Sequence, residues 1–287
     1  MKVLVTGGSG FIGRNLVARL ARQGHEVTSL DRNDTPKDQR VRGIKYVCCD
    51  TKDIASIKNR FDVLYHMGEY SRISTSFEDI QNVWDSNVAG TFSVLQYCRK
   101  NNVRLIYGAS SSKFGNGGDD ENLSPYAWTK SKNVELIKNY GSWFDLQYSI
   151  VYFYNVYGPG QTSTGKYSTV IGIFENQYTN GLPLTVVSPG TQRRFFTHVD
   201  DVTNGLMELL DKGDNKEFCF GDVDSNYSVE EVAKMFTDNI VYVKSKQGDR
   251  MGSPMDTSSS EDVLGWKPAK KLSDYVGSSP KPLPASE

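Results

Sequence analysis

Short apolar runs alternate with longer stretches of helical period along the first half of the chain. Residues 2–5 form an apolar run that enters a glycine-rich turn, and residues 11–22 then repeat apolar positions at helical spacing. Further strand-like runs fall at 26–30, 45–49, 62–66, 104–107 and 146–153, with helical patterns at 80–101 and from Pro125 to about Tyr140. This alternation predicts βαβ units on a parallel sheet, whose ligand sites lie at the carboxyl ends of the strands. After Gly158-Pro159-Gly160 the rhythm loosens. Short strands at 184–187, 217–220 and 240–243 mix with helices at 168–179, 200–210 and 228–237. The expected organisation is a first domain over residues 1–160, a smaller mixed α/β lobe over 161–276 with the chain weaving back, and a Ser- and Pro-rich flexible tail over 277–287.

Composition narrows the function classes. With 33 Lys and Arg against 34 Asp and Glu, the net charge is -1, and no basic excess argues for nucleic acid. No apolar run is long enough for a membrane span, and the chain goes directly into a strand without a signal-peptide pattern. Cys48, Cys49, Cys98 and Cys219 form no C-x-x-C pair and have no His at zinc-like spacing, so no metal is expected and a cytoplasmic location is.

Gly7-Gly8-Ser9-Gly10-Phe11-Ile12-Gly13 lies between the first strand and the first helix. Glycines at 7, 10 and 13 suit a tight turn, a close backbone approach to a pyrophosphate, and close helix packing. The helix N-terminus beyond, at Phe11 and Ile12, offers N–H donors and a positive dipole end. No Lys-Ser or Lys-Thr follows, which disfavours a P-loop. Asp31 ends the second strand 18 residues past Gly13, where a carboxylate can accept hydrogen bonds from an adenosine ribose. Asp31 would repel a 2′-phosphate and so favours NAD over NADP, an inference that the neighbouring Arg32 weakens. Asp50, with Thr51 beside it after the third strand, is a candidate acceptor for the adenine amino group.

Tyr126 and Lys130 stand four residues apart, on one face of the helix after Pro125. Ser110-Ser111-Ser112 follows the fifth strand at the same sheet edge. A free phenol ionises near pH ~10; lowering that by ~3 units needs ~4 kcal/mol, within reach of an adjacent ammonium and a positive nicotinamide ring in a dry cleft.

This set, together with Tyr154-Asn155-Val156-Tyr157-Gly158-Pro159, the stretch from Arg194 to Val202, and Leu264-Gly265-Trp266-Lys267-Pro268, resembles the extended short-chain dehydrogenase/reductases. These are the NAD-dependent sugar-nucleotide epimerases and dehydratases. The resemblance runs from Met1 to about Trp266 and implies a Rossmann-type doubly wound parallel sheet with a smaller mixed α/β substrate-binding lobe. It implies Tyr126 as acid/base, Lys130 as its helper and ribose anchor, and Ser110 as the hydroxyl that aligns the substrate oxygen. It further places Met67 beside the cofactor, Asn155 and Arg194 at the substrate diphosphate, and Asp249 at the nucleotide ribose. Three departures bear on the substrate: Tyr152 stands where relatives usually carry Arg, Phe195 where they carry Asp, and Lys246 where an Arg commonly grips a phosphate.

Within such a family, dehydratases carry an Asp-Glu pair after the triad hydroxyl, and decarboxylases commonly keep a Glu at the second place. Here the two positions are Ser111 and Ser112. Epimerisation at C4 through a 4-keto sugar needs only the triad and NAD, and is the leading expectation. A dehydratase, a decarboxylase, a C4 oxidase and a non-catalytic NAD-binding regulator are the alternatives. His66, His198 and Asn87 read as packing or hydrogen-bonding residues, Lys113 reads as a solvated lysine, and the role of Glu69 is open. A homodimer is expected from Phe92, Val94, Leu95 and Tyr97 on one helix and Val134, Leu136 and Ile137 on another, because relatives pair these helices across a two-fold axis.

Overall fold

A computed structural model describes residues 1–117, 120–245 and 247–279. Lys246 and residues 280–287 of the expected tail lie outside the described residues. The chain begins with β1 (Lys2–Thr6), α1 (Phe11–Arg22), β2 (Glu26–Asp31), β3 (Lys45–Cys48) and β4 (Val63–His66). A helical stretch follows as α2 (Ile80–Val83), a wider π turn over Trp84–Gly90, and α3 (Thr91–Asn101). Then come β5 (Arg104–Ser110), α4 (Pro125–Phe144), β6 (Tyr148–Phe153) and β7 (Val156–Tyr157). The last part holds α5 (Val170–Thr179), β8 (Leu184–Val187), β9 (Arg193–Phe195), β10 (Thr197–His198), α6 (Val199–Glu208) and β11 (Lys216–Phe220). It ends with β12 (Asn226–Ser228), α7 (Val229–Phe236), β13 (Ile240–Val243), α8 (Ser258–Leu264) and α9 (Leu272–Gly277).

Seven parallel strands form the main sheet in the order β11-β6-β5-β4-β1-β2-β3. The apolar strands carry little alternation because both faces are covered. Leu4, Leu64 and Leu105 point into one core, while their neighbours Val3, Val5, Val63, Tyr65 and Ile106 point into the other. β1 pairs with β2 on one side and with β4 on the other, so the chain reverses its direction of travel between β1 and β4. At that reversal the loops after the two strands diverge and leave a crevice.

The smaller lobe is built on a separate core that includes Phe174, Phe196, Val232 and Phe236. Its strands pair as β8 with β13, in parallel, and β9 with β12, antiparallel. Ser228 caps α7 with a reciprocal bond to Glu231, a capping box. Between these pieces the chain returns to the sheet. β11 joins the edge beside β6, and α6 lies near α1, where the Tyr65 hydroxyl donates to the Leu206 carbonyl at 2.7 Å.

The two helices expected to pair copies of the chain are arranged differently from the pattern. Val94, Leu95, Tyr97, Val134 and Ile137 are buried within this one chain, and Leu136 is half-buried against the same core. The strands β4 and β5 accept them because helices must cover that sheet face. Phe92 is exposed, as are Ile80, Trp84, Trp128, Trp143 and Phe144, and the Trp84 and Trp128 rings stack with centroids 6.3 Å apart.

Trp266 fastens the C-terminal segment to the sheet. Its ring stacks on Phe220 with centroids 4.6 Å apart, and its indole N–H donates to the Asp201 carbonyl at 2.8 Å. Trp266→Ala is expected to cost ~3–5 kcal/mol through the lost packing. Urea unfolding measures it, and a loss below ~1 kcal/mol would show that the segment is not held there.

Candidate active site

The crevice between β1 and β4 continues into a cleft of about 780 Å³. Its floor is the glycine turn. Gly7 has φ +66°, and a Cβ there would lie 2.7 Å from the Gly68 Cα. A Cβ on Gly13 would come within 2.1 Å of the Gly7 carbonyl oxygen, so the start of α1 packs on the turn only because that side chain is missing. Gly10 occupies the N-cap of α1, where no side chain accepts from the first-turn amides, and no acid stands in that turn. The amides of Phe11, Ile12 and Gly13 are therefore left for an external anion.

Asp31 lines the cleft at the end of β2. Its carboxylate accepts from the Ser9 N–H at 3.2 Å and the Asn33 N–H at 3.1 Å. Arg32, Asp50, Thr51 and Met67 line the same wall. Asp50 already accepts from the Lys52 N–H at 2.9 Å. A glycine cradle, uncapped amides and an acid at the end of β2 fit an NAD dinucleotide, which these residues would hold.

Ser110, Tyr126 and Lys130 line the same cleft. Ser124 caps α4 by accepting from the Ala127 N–H at 3.0 Å, and Pro125 occupies the first turn, which fixes the helix start one residue before Tyr126. Tyr126 and Lys130 are then one turn apart, both buried. β5 extends past Tyr107 to Ser110, farther than the apolar pattern indicates, because Ser110 still pairs with Phe153 of β6. The Ser110 hydroxyl accepts from the Ser112 N–H at 3.1 Å.

Glu69 lines the cleft with a side chain that is nearly fully buried. Its carboxylate takes the Lys130 ammonium as an ion pair between nearly fully buried side chains. The other oxygen accepts from Thr91 at 2.8 Å, Asn133 at 2.7 Å and Tyr107 at 3.1 Å. Lys130 also donates to the Gly108 carbonyl. Burial, and then the Glu69 charge, hold the Tyr107 phenol well above the usual tyrosine range. Asn87, carried inward by the π turn, accepts from the Tyr70 N–H at 2.7 Å and donates to Thr129 at 3.0 Å.

His66 is a structural member of the same network. Its Nδ1 meets the Thr6 hydroxyl at 2.8 Å and its Nε2 the Thr91 hydroxyl at 2.9 Å. Because Thr91 donates on to Glu69 and Thr6 accepts from the Gly68 N–H, the network is satisfied by a neutral ring protonated on Nε2. His198 caps α6, accepting from the Asp200 N–H at 3.1 Å. Lys113 is half-buried rather than solvated. It lies outside the cleft wall, 3.3 Å from the Tyr152 hydroxyl, and burial lowers its pKa.

The other residues expected at a substrate divide. Asn155 and Asp249 line the cleft. Asn155 has φ +30° and donates to the Phe195 carbonyl at 2.9 Å. Arg194 stands behind the wall, its guanidinium donating to the carbonyls of Arg193 at 2.8 Å and Arg250 at 2.6 Å. Burial, and then the Arg250 charge, lower its pKa to about 10. The wall also carries Arg72, Tyr167 and Arg250, for which the sequence holds no motif; Arg250 directly follows Asp249, and Arg72 lies three residues after Glu69.

The fold and cleft define a dinucleotide-binding α/β enzyme of the Rossmann type. Residues 3–222 match the NAD dependent epimerase/dehydratase family, and the chain belongs to it. A Methanocaldococcus jannaschii protein assigned as a UDP-glucose 4-epimerase is 30% identical over 96% of this chain and 95% of its own length. The UDP-N-acetyl-alpha-D-glucosaminuronate decarboxylase of Bacillus cytotoxicus is 28% identical over 81% of this chain and 78% of its own. The UDP-glucuronic acid 4-epimerase of Bacillus cereus, solved as a tyrosine-to-phenylalanine mutant with a fluorinated UDP-glucuronic acid and NAD, superposes with TM-score 0.87 at 25% identity, covering 97% of this chain and 98% of that one.

Burial holds the His66 pKa down at about 4, against ~6.5 in an unfolded chain. Above pH ~6.5 the ring is neutral in both states. As pH falls from there toward 4, the unfolded chain binds a proton that the folded one refuses, so stability drops. Wild type should lose up to ~1.4 kcal/mol per pH unit more than His66→Gln between pH 6.5 and 5 in urea unfolding. Equal pH slopes would show that His66 is not the group responsible.

Proposed function

We propose that this protein is a sugar-nucleotide 4-epimerase. The carrying observation is that Ser110, Tyr126 and Lys130 share one cleft with the glycine turn and Asp31. NAD, when bound, supplies the acceptor and donor of a hydride. Tyr126 takes the proton of the sugar C4 hydroxyl as the C4 hydride departs, leaving a 4-keto sugar. Ser110 holds the C4 oxygen in line. Lys130, held from behind by Glu69, supplies positive charge near the phenol oxygen and a donor for the cofactor ribose. After the keto sugar turns in the cleft, Tyr126 returns its proton as hydride arrives on the other face. Asn155 and Arg194 are assigned to the diphosphate and Asp249 to the nucleotide ribose.

Ser111 and Ser112, in the places that would need acids for water expulsion, support this reading over a dehydratase. The likeness to a decarboxylase favours a second reading, oxidation at C4 followed by loss of CO2 from an acidic sugar. Product NMR separates the two. Tyr126→Phe should keep the fold and NAD binding while turnover falls ~10²–10⁴-fold, and Ser110→Ala should lose less. Full activity of Tyr126→Phe on an authenticated nucleotide sugar overturns the assignment.

The reading includes a cytoplasmic homodimer. Four free cysteines suit a reducing compartment. Trp84 in the π turn, Phe92 on α3, and Trp128 and Trp143 on α4 leave exposed aromatic surface whose covering by a second copy suits an isologous contact. Light scattering at micromolar concentration should give twice the chain mass, and Trp84→Glu should give monomers. A monomeric wild type refutes this assembly.

A further inference from the structure

Four arginines line the cleft, Arg14, Arg32, Arg72 and Arg250, and none forms an ion pair with a carboxylate among the described residues; Arg14 and Arg32 are exposed, whereas Arg72 and Arg250 are set into the wall. Arg72 comes from the loop after β4 and Arg250 from the segment after β13, and both line the wall. Arg250 is 6% exposed and donates to the Ser111 carbonyl at 2.6 Å and the Ser111 hydroxyl at 3.0 Å. Arg72 donates to the carbonyls of Ser71, at 3.1 Å, and Tyr167, and its Nε is buried without an acceptor. Among the described residues, the arginine ion pairs are made by Arg40, Arg104 and Arg193.

The acids nearby are committed elsewhere. Glu69 holds Lys130, Asp79 holds Lys166, and the Asp249 charge acts on Arg194. Burial lowers the pKa of both guanidiniums, and for both the first opposing influence is the Tyr126 phenol. Arg250 bonds Ser111, next to Ser110, and Arg72 adjoins Ile73, which packs against the cluster of Tyr70, Val83 and Tyr126, so two cations from different loops border the residues proposed to handle the C4 proton. A buried cation without a counter-charge is costly, and a planar guanidinium matches a carboxylate in a two-point contact.

We infer that Arg72 and Arg250 form a carboxylate subsite for the sugar, so that the substrate is a nucleotide-linked hexuronic acid rather than a neutral hexose. The inference rests on the nucleotide-sugar reading above. In a hexuronic acid the C6 carboxylate is separated from C4 by one ring carbon, so a group beside Tyr126 meets the C4–C6 edge. The diphosphate leaves from C1, across the ring, and is not the anion these two arginines would meet.

Calorimetry on the NAD-loaded protein tests this with matched hexose and hexuronic acid derivatives of UDP, dTDP and GDP. On the nucleotide that binds best, wild type should hold the acid about tenfold or more tighter than the neutral sugar, the worth of one charge-assisted contact. Arg250→Gln and Arg72→Gln should each remove most of that preference and leave affinity for the free nucleoside diphosphate unchanged. Arg250→Lys should keep part of it. Equal wild-type affinities, or a preference for the neutral sugar, overturn the subsite while leaving the 4-epimerase reading standing, and this comparison requires no variant to fold. A parallel loss of nucleoside diphosphate affinity in both Gln variants also overturns it, by assigning the arginines to the phosphates. Failure of every nucleotide sugar to bind overturns both.

Discussion

A carboxylate removed from water must be surrounded by donors, and Glu69 meets that demand with four side chains. Thr91 comes from α3, Tyr107 from β5, and Lys130 and Asn133 from consecutive turns of α4. An unpaired charge at this depth would cost several kcal/mol, so the three elements are held in one relative position or the network fails. The same bonds run through Thr91 to His66, through His66 to Thr6, and through Thr6 to the Gly68 amide. Gly68 in turn abuts Gly7 in the glycine turn. The helix that carries the tyrosine and the turn that suits a pyrophosphate are therefore positioned by one continuous polar chain.

The cleft inherits its division of labour from the topology. Strand ends and α1 supply backbone amides and Asp31 at one end, where glycines keep the surface close to the main chain. Arg72 from the loop after β4, Asn155 from the turn after β6, and Asp249 and Arg250 from the second lobe supply polar side chains to the same cleft. On the proposed reading, rigid elements hold the groups that would move protons, and longer connections hold the groups that would choose the substrate. That arrangement lets one scaffold serve different sugars by changing loops.

The strands, the helices and the glycine turn could be read from the chain because their signals are short-range. An apolar run, a helical period, Pro125 after a capping serine and glycines at fixed offsets act on residues a few positions away. Tyr126 and Lys130 were readable for the same reason, since four residues on a helix make one face. Apolar content alone misled where it could not distinguish inward from outward. Val94, Leu95, Val134 and Ile137 looked available to a second copy and are the core beneath the sheet, while Trp84 and Trp128 are the residues left outside.

What the sequence determined by itself is the order of the elements and the class of cofactor turn between β1 and α1. Tertiary structure alone decided which distant groups share a charge. Glu69 meets Lys130 across 61 residues, and Arg250 meets Ser111 across 139. Neither pairing has a local pattern, because a buried ion or a guanidinium takes whichever partner the folded chain brings within reach, and only the assembled sheet with its helices and second lobe in place brings these together.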